Sequence, residues 1–128
     1  MSKILLLSHG SLAEGLYSSA EMLMGSFEDV HVISLQKEMG VDELKEEIEE
    51  YVEKYKEDKI TVFCDIIGGT PFNTISLYSH ENENITVFYG MNLPLLLEAI
   101  SLKDTTGYKE MVKFLTDIKN ESIGKSDI

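Results

Sequence analysis

The chain has a single cysteine, Cys64, and no tryptophan in 128 residues. One thiol excludes an intrachain disulfide framework and a multi-cysteine metal site. Basic residues are scarce: 11 stand against 23 acidic ones, giving a formal net charge of −12. Nucleic-acid affinity rests on neutralised phosphates, so this deficit argues against nucleic acid and equally against an anionic membrane surface. It suits a basic protein partner, because opposite fields speed encounter. No apolar run approaches membrane-spanning length. The first apolar stretch is short and preceded by Lys3 alone, which is too little for a secretory leader. A cytoplasmic protein is expected. Internal repeats, low-complexity blocks and domain linkers are also missing, and 43% hydrophobic residues is ordinary for a soluble chain. The expectation is one domain, residues 1–128, large enough for a real core.

What is present is an alternation of strand and helix patterns. Strands are predicted at residues 4–7, 30–35, 59–64 and 85–89. The first helix carries Leu12, Leu16, Ala20 and Leu23 along one face, with Ser11 and Glu14 at capping-box spacing and Gly25 as its stop. The second, residues 42–56, has a stripe of Leu44, Ile48, Val52 and Tyr55, with Glu46, Glu47, Glu49, Glu50 and Glu53 as a solvated face. A third opens with Thr70 as N-cap and Pro71 in its first turn. A short helix at residues 95–101 is apolar on most sides, which implies deep burial or a subunit interface. A last helix after Gly107 aligns Met111, Phe114, Leu115 and Ile118. This order implies an α/β fold: a three-layer, open, doubly wound parallel sheet, order 2-1-3-4, with helices on both faces.

In that order strands one and three are neighbours whose connections leave to opposite faces. A crevice then opens between their carboxyl ends. His9 ends strand one and Asp65 follows strand three. An aspartate accepting from one imidazole nitrogen fixes the tautomer and leaves the other nitrogen as a lone pair. Two helices start here, after Gly10 and at Thr70-Pro71, and their free N–H groups make an anion site. Gly68 and Gly69 let the backbone approach a ligand, and the Thr70 hydroxyl adds a donor. A nucleophilic histidine facing such a cradle is built to take up a phosphoryl group. The plain alternatives are a structural histidine ending a strand and an aspartate serving as turn former.

Four segments carry a family resemblance: Ser8-His9-Gly10; residues 20–25, Ala-Glu-Met-Leu-Met-Gly; residues 65–73, Asp-Ile-Ile-Gly-Gly-Thr-Pro-Phe-Asn; and residues 89–96, Tyr-Gly-Met-Asn-Leu-Pro-Leu-Leu. Together they resemble the mannose-family (mannose/fructose/sorbose) IIA domain of the bacterial phosphoenolpyruvate-dependent sugar phosphotransferase system, over essentially the whole chain. The resemblance implies a phosphotransferase with a phosphohistidine intermediate. It would accept a phosphoryl group from the carrier HPr on His9 and pass it to a IIB subunit, with membrane IIC and IID subunits downstream. It implies no metal and no organic cofactor, and a homodimer. Asp65 would orient His9. Gly10, Gly68, Gly69 and Thr70 would bind the phosphoryl group, while Met22, Pro71, Phe72, Asn73, Met91 and Asn92 would line the pocket or docking surface. In some members IIB follows on the same chain; here the chain stops at Ile128, so a separate IIB is expected. The resemblance also implies that residues 120–125 can add an antiparallel edge strand exchanged across the dimer, though their β signal is poor.

His31 alternates inside a strand and His80 sits near a helix end, so packing and helix-dipole roles are expected for them. Three histidines on separate elements make a zinc site improbable, and Cys64 reads as a small core residue. A two-component receiver domain would need an acidic pair after strand one and a lysine after a fifth strand; both are missing. A flavodoxin-like module would need a hydroxyl-rich first loop and flavin-stacking aromatics. The readings left open are a regulatory or dihydroxyacetone-pathway phosphocarrier of the same fold, and a non-catalytic anion-binding module. The Gly-Gly-Thr-Pro-Phe-Asn segment tells against the dihydroxyacetone branch.

Overall fold

The computed structural model describes residues 2–128. Four strands form one all-parallel sheet: β1 (Ser2–His9), β2 (Val30–Leu35), β3 (Lys59–Cys64) and β4 (Ile85–Tyr89), in the order β2-β1-β3-β4. The strands read as near-continuous apolar runs because a parallel sheet is covered on both faces. Side chains still alternate across it. Ile4, Leu6 and Phe63 point to one face, under α1 (Leu12–Met24), α4 (Leu93–Leu102) and α5 (Tyr108–Ile118). Leu5, Leu7, Val62 and Cys64 point to the other, under α2 (Val41–Lys54) and α3 (Thr70–Glu81). This is the expected doubly wound arrangement.

Several local readings are corrected. The buried face of α1 runs through Ala13 and Ala20, with Leu16, Tyr17 and Met24 packed beside them; Leu12 and Leu23 stand exposed. The alanines let the helix lie close to the sheet; Ala20 was expected on this face, and a periodicity weighted towards large apolar residues passes over Ala13. The Ser11–Glu14 capping box does not form. Instead Ser8 Oγ, wholly buried at the end of β1, accepts from Ala13 N–H at 2.9 Å, and Glu14 accepts from Ser34. In α2 the stripe is Leu44, Ile48 and Tyr51, with Val52 and, just past the helix end, Tyr55 half-buried, and Glu46, Glu47, Glu49, Glu50 and Glu53 face solvent as expected. The apolar α4 is explained by burial between α1 and α5, with Leu95, Leu96, Ala99 and Ile100 inside. In α5, Met111 and Leu115 are buried but Phe114 is exposed. Residues 119–121 make a 3-10 turn, and residues 122–128 form no strand within the chain.

At the amino ends of the strands, Asp29 links two lysines. Its carboxylate accepts from Lys3 Nζ at 2.7 Å and from Lys103 Nζ at 3.0 Å; the Lys103 side chain, 3% exposed, also pairs with Asp104. The Lys3 hydrogen bond, outweighing the effect of burial, holds the Asp29 carboxyl below its usual pKa, and Lys103 adds to this. The carboxyl ends of the strands carry a different arrangement.

Candidate functional site

β1 and β3 are in register with Leu7 opposite Cys64, so His9 and Asp65 emerge side by side where the two strands end. α1 leaves to one face and α3 to the other, which opens the crevice between them. Asp65 Oδ2 accepts from the backbone N–H of His9 at 2.8 Å and lies 2.7 Å from His9 Nδ1. Oδ1 accepts from Ile66 N–H at 2.9 Å. The Asp65 side chain is 9% exposed, whereas that of His9 is 45% exposed. Burial pushes the Asp65 carboxyl up, but the hydrogen bonds from His9 and Ile66 outweigh it and the net pKa is lowered. An ionised carboxylate only accepts, so in the neutral ring Nδ1 carries the hydrogen and Nε2 the lone pair. The ring is thus anchored at Nδ1 while its side chain stays well exposed.

The loop after Asp65 brings the start of α3 against the ring. A Cβ built on Gly69 would lie 2.8 Å from His9 Cε1 and 3.5 Å from Nε2. The N-cap of α3 is Gly69, not Thr70 as expected; Thr70 is the first helical residue. Its carbonyl accepts from Thr74 Oγ1 at 2.8 Å, while its hydroxyl is left uncommitted. No side chain caps α3, and Pro71 in the first turn has no N–H to satisfy. The remaining first-turn amides sit at the positive end of the helix dipole, open to an anion. Gly68 holds φ +82°, and Asn73 Nδ2 donates to its carbonyl at 3.1 Å, which sets the loop's shape.

Gly10 has a different role from the one expected. Its N–H is donated to Leu35 C=O at 2.8 Å, so it is not free for an anion; its φ of +56° turns the chain from β1 into α1. The loop after β4 is tied in beside the pair, with Gly90 N–H on Asp65 C=O and Met91 N–H on Cys64 C=O, both at 3.0 Å. Asn92 caps α4 through Leu95 N–H at 3.0 Å and donates to Ser122 Oγ at 2.9 Å. Phe72 and Tyr89 meet edge to face, ring centres 5.9 Å apart, and Pro71 is buried. Met22 is not brought here: it lies in the last turn of α1, ten residues beyond Leu12 and about 15 Å along the helix. Leu12, Ile66 and Ile67, which the sequence reading passed over, stand exposed in the segments that follow β1 and β3. Their signal was there in large apolar side chains beside a predicted site, but α1 periodicity claimed Leu12 for the core.

The other reactive groups are accounted for elsewhere. His31 packs against Tyr51 and Tyr55, ring centres 5.5 and 5.2 Å away, and burial lowers its pKa. His80 is exposed in the last turn of α3. Burial pushes the Cys64 thiol up to about 12, which leaves it inert. Among the described residues no three His, Cys, Asp or Glu side chains gather as a metal site, and no helix is long and apolar enough to cross a membrane.

Residues 3–116 match the protein family described as PTS system fructose IIA component, EIIA-man. The chain is 27% identical over 123 residues to the PTS system fructose-specific EIIA component of Bacillus subtilis, covering 95% of this chain and 84% of that protein. It is 30% identical over 118 residues to the PTS system mannose-specific EIIAB component of Escherichia coli K12, covering 91% of this chain but only 36% of that longer protein. The crystal structure of phosphotransferase system component EIIA from Streptococcus agalactiae superposes with a TM-score of 0.88 at 30% identity, over 98% of this chain and 97% of that one.

Proposed function

This chain belongs to the mannose-type IIA family of the sugar phosphotransferase system, and from that premise we propose that it relays a phosphoryl group from HPr to a IIB domain through His9 Nε2. The observation that carries the reading is the 2.7 Å contact between His9 Nδ1 and Asp65 Oδ2, which leaves Nε2 as the exposed nucleophile. In the loading step the Nε2 lone pair attacks phosphorus. The bond between phosphorus and the donor histidine breaks, and the donor nitrogen recovers the electron pair. Nδ1–H stays on Asp65, whose charge stabilises the substituted ring from the far side and stays clear of the phosphoryl oxygens. Transfer to IIB runs the same exchange in the other direction.

Such a reaction asks mainly for positioning and charge stabilisation. The uncapped start of α3, the Gly68–Gly69 backbone and the Thr70 hydroxyl would receive the phosphoryl oxygens. No metal or organic cofactor is needed for exchange between two nitrogens. The open setting of His9 suits two partners in turn, and Leu12, Ile66 and Ile67 would give them an apolar landing surface. The net charge of −12 favours basic ones. The IIB domain would serve IIC and IID membrane subunits from the cytoplasmic side. The free edge of β4, with a groove lined by Val87, Tyr89, Met91 and Ile123 beside it, supports a homodimer closing there.

The test is intact-protein mass after incubation with phosphoenolpyruvate, enzyme I and HPr. Wild type should gain one acid-labile phosphoryl group and His9→Ala none, with an unchanged circular dichroism spectrum. Failure of wild type to load from active donors would sink the relay and leave an anion-binding or regulatory module.

A further inference from the structure

Gly69 has φ −78° and ψ 168°, an extended backbone that any residue adopts. The turn itself therefore gives no reason for glycine at this position. Its neighbour Gly68 is the opposite case: φ is +82°, and a Cβ built there meets nothing within 4 Å. A Cβ on Gly69 would meet His9 Cε1 at 2.8 Å, Ile66 Cγ1 at 3.4 Å and His9 Nε2 at 3.5 Å. Carbon atoms pack at about 3.5–4.0 Å, so the first of these is a collision. The obstacle is a ring, and that ring is held at Nδ1 and at its own backbone N–H by one Asp65 oxygen. It has no flexible end to bend aside.

We infer that Gly69 is a positioning residue for the nucleophile: the missing side chain is the slot in which the Cε1 edge of the His9 ring lies. Two adjacent corners of the imidazole are then fixed, Nδ1 by Asp65 and Cε1 by Gly69, and the direction of the Nε2 lone pair follows. A methyl group at residue 69 pushes the ring off Asp65. The tautomer is no longer enforced, and Nε2 no longer points where the start of α3 receives an anion. The loop's two glycines thus serve different ends, Gly68 the chain's path and Gly69 the ring's place.

The kinetic part of the test rests on the proposed role of His9; the spectroscopic part does not. In Gly69→Ala, single-turnover loading from phospho-HPr is expected to fall at least tenfold. Imidazole nitrogen spectra of the neutral ring, dominated in wild type by the Nδ1–H form, are expected to show a mixture of tautomers. Wild-type loading together with an unchanged Nδ1–H signature in Gly69→Ala would overturn the inference. If wild type itself does not load, the relay fails and the nitrogen spectra alone decide the role of Gly69. If Gly69→Ala is too unstable to purify, the double variant with His9→Ala decides it. Removing the ring empties the slot, so the double variant should fold and melt like His9→Ala alone. A double variant that also fails to fold would assign the glycine to the loop and overturn the inference.

Discussion

Asp65 Oδ2 accepts from both the main chain and the ring of His9, so one oxygen sets where the residue sits and which ring nitrogen carries hydrogen. Asp65→Asn keeps the shape but offers either an acceptor or a donor to Nδ1, and the enforced tautomer is lost. Loading in single-turnover mode is expected to slow on the order of 10⁴-fold, in line with the cost of losing a carboxylate behind a catalytic histidine. An unchanged rate would remove Asp65 from the mechanism. His9 and Asp65 were legible as a pair because parallel topology brings the ends of strands one and three together whatever the side chains do in detail. The local geometry of Gly10, Thr70 and Gly69 was not legible. Which N–H is already donated to Leu35, which residue starts a helix and which glycine faces a ring 60 positions away are three-dimensional matters.

At the scale of elements, the other two helices that begin at this end of the sheet, α1 and α4, are fixed differently from α3. α1 is capped from outside by the buried Ser8 hydroxyl, and α4 by Asn92, which also holds Ser122. Ser8→Ala leaves Ala13 N–H without its partner in a buried setting, and should cost about 1–2 kcal/mol in urea unfolding. Asn92→Ala should cost about 1 kcal/mol by the same measurement and loosen the C-terminal segment, seen as faster proteolysis after residue 119. The Asn92 cap was passed over: the helix was expected to start at residue 95, and Asn92 was assigned only to the pocket or docking surface. The Ser8 cap was not legible, because it reaches five residues ahead across the strand–helix turn. Strands 30–35, 59–64 and 85–89 were read to the residue, because apolar runs bounded by turns leave little freedom. Helix faces fared worse: on α1 Leu16 and Ala20 pack inside as read, but Ala13 was missed and Leu12 and Leu23, expected beside them, are exposed.

Across the whole molecule, the His9–Asp65 pair and the Asp29 clamp lie at opposite ends of the sheet. The Lys3–Asp29–Lys103 link joins β1, the approach to β2 and the end of α4. Asp29→Asn leaves a buried lysine with only the exposed Asp104 for balance, and is expected to cost about 2–3 kcal/mol near neutral pH. Asp29 has a lowered folded pKa, so its contribution is complete above the ordinary value of 3.8 and is lost as pH falls through the folded value. The melting temperatures of wild type and Asp29→Asn should therefore differ at pH 7 and converge in acid; a gap that persists there would mean the asparagine is misfitted sterically. The strand order was legible because right-handed crossovers leave few arrangements of four alternating strands. The clamp was not, since 74 residues separate Asp29 from Lys103. β1 and β3 are the two inner strands, bonded along both sides, while β2 and β4 each keep a bare edge. In hydrogen-exchange terms, the amides of Leu5, Leu6, Val62 and Phe63 should be released only by global opening, after both rims have exchanged. The His9–Asp65 pair is mounted on the last part of the chain to come apart, so a partner that disturbs the rims on docking leaves the distance between them untouched.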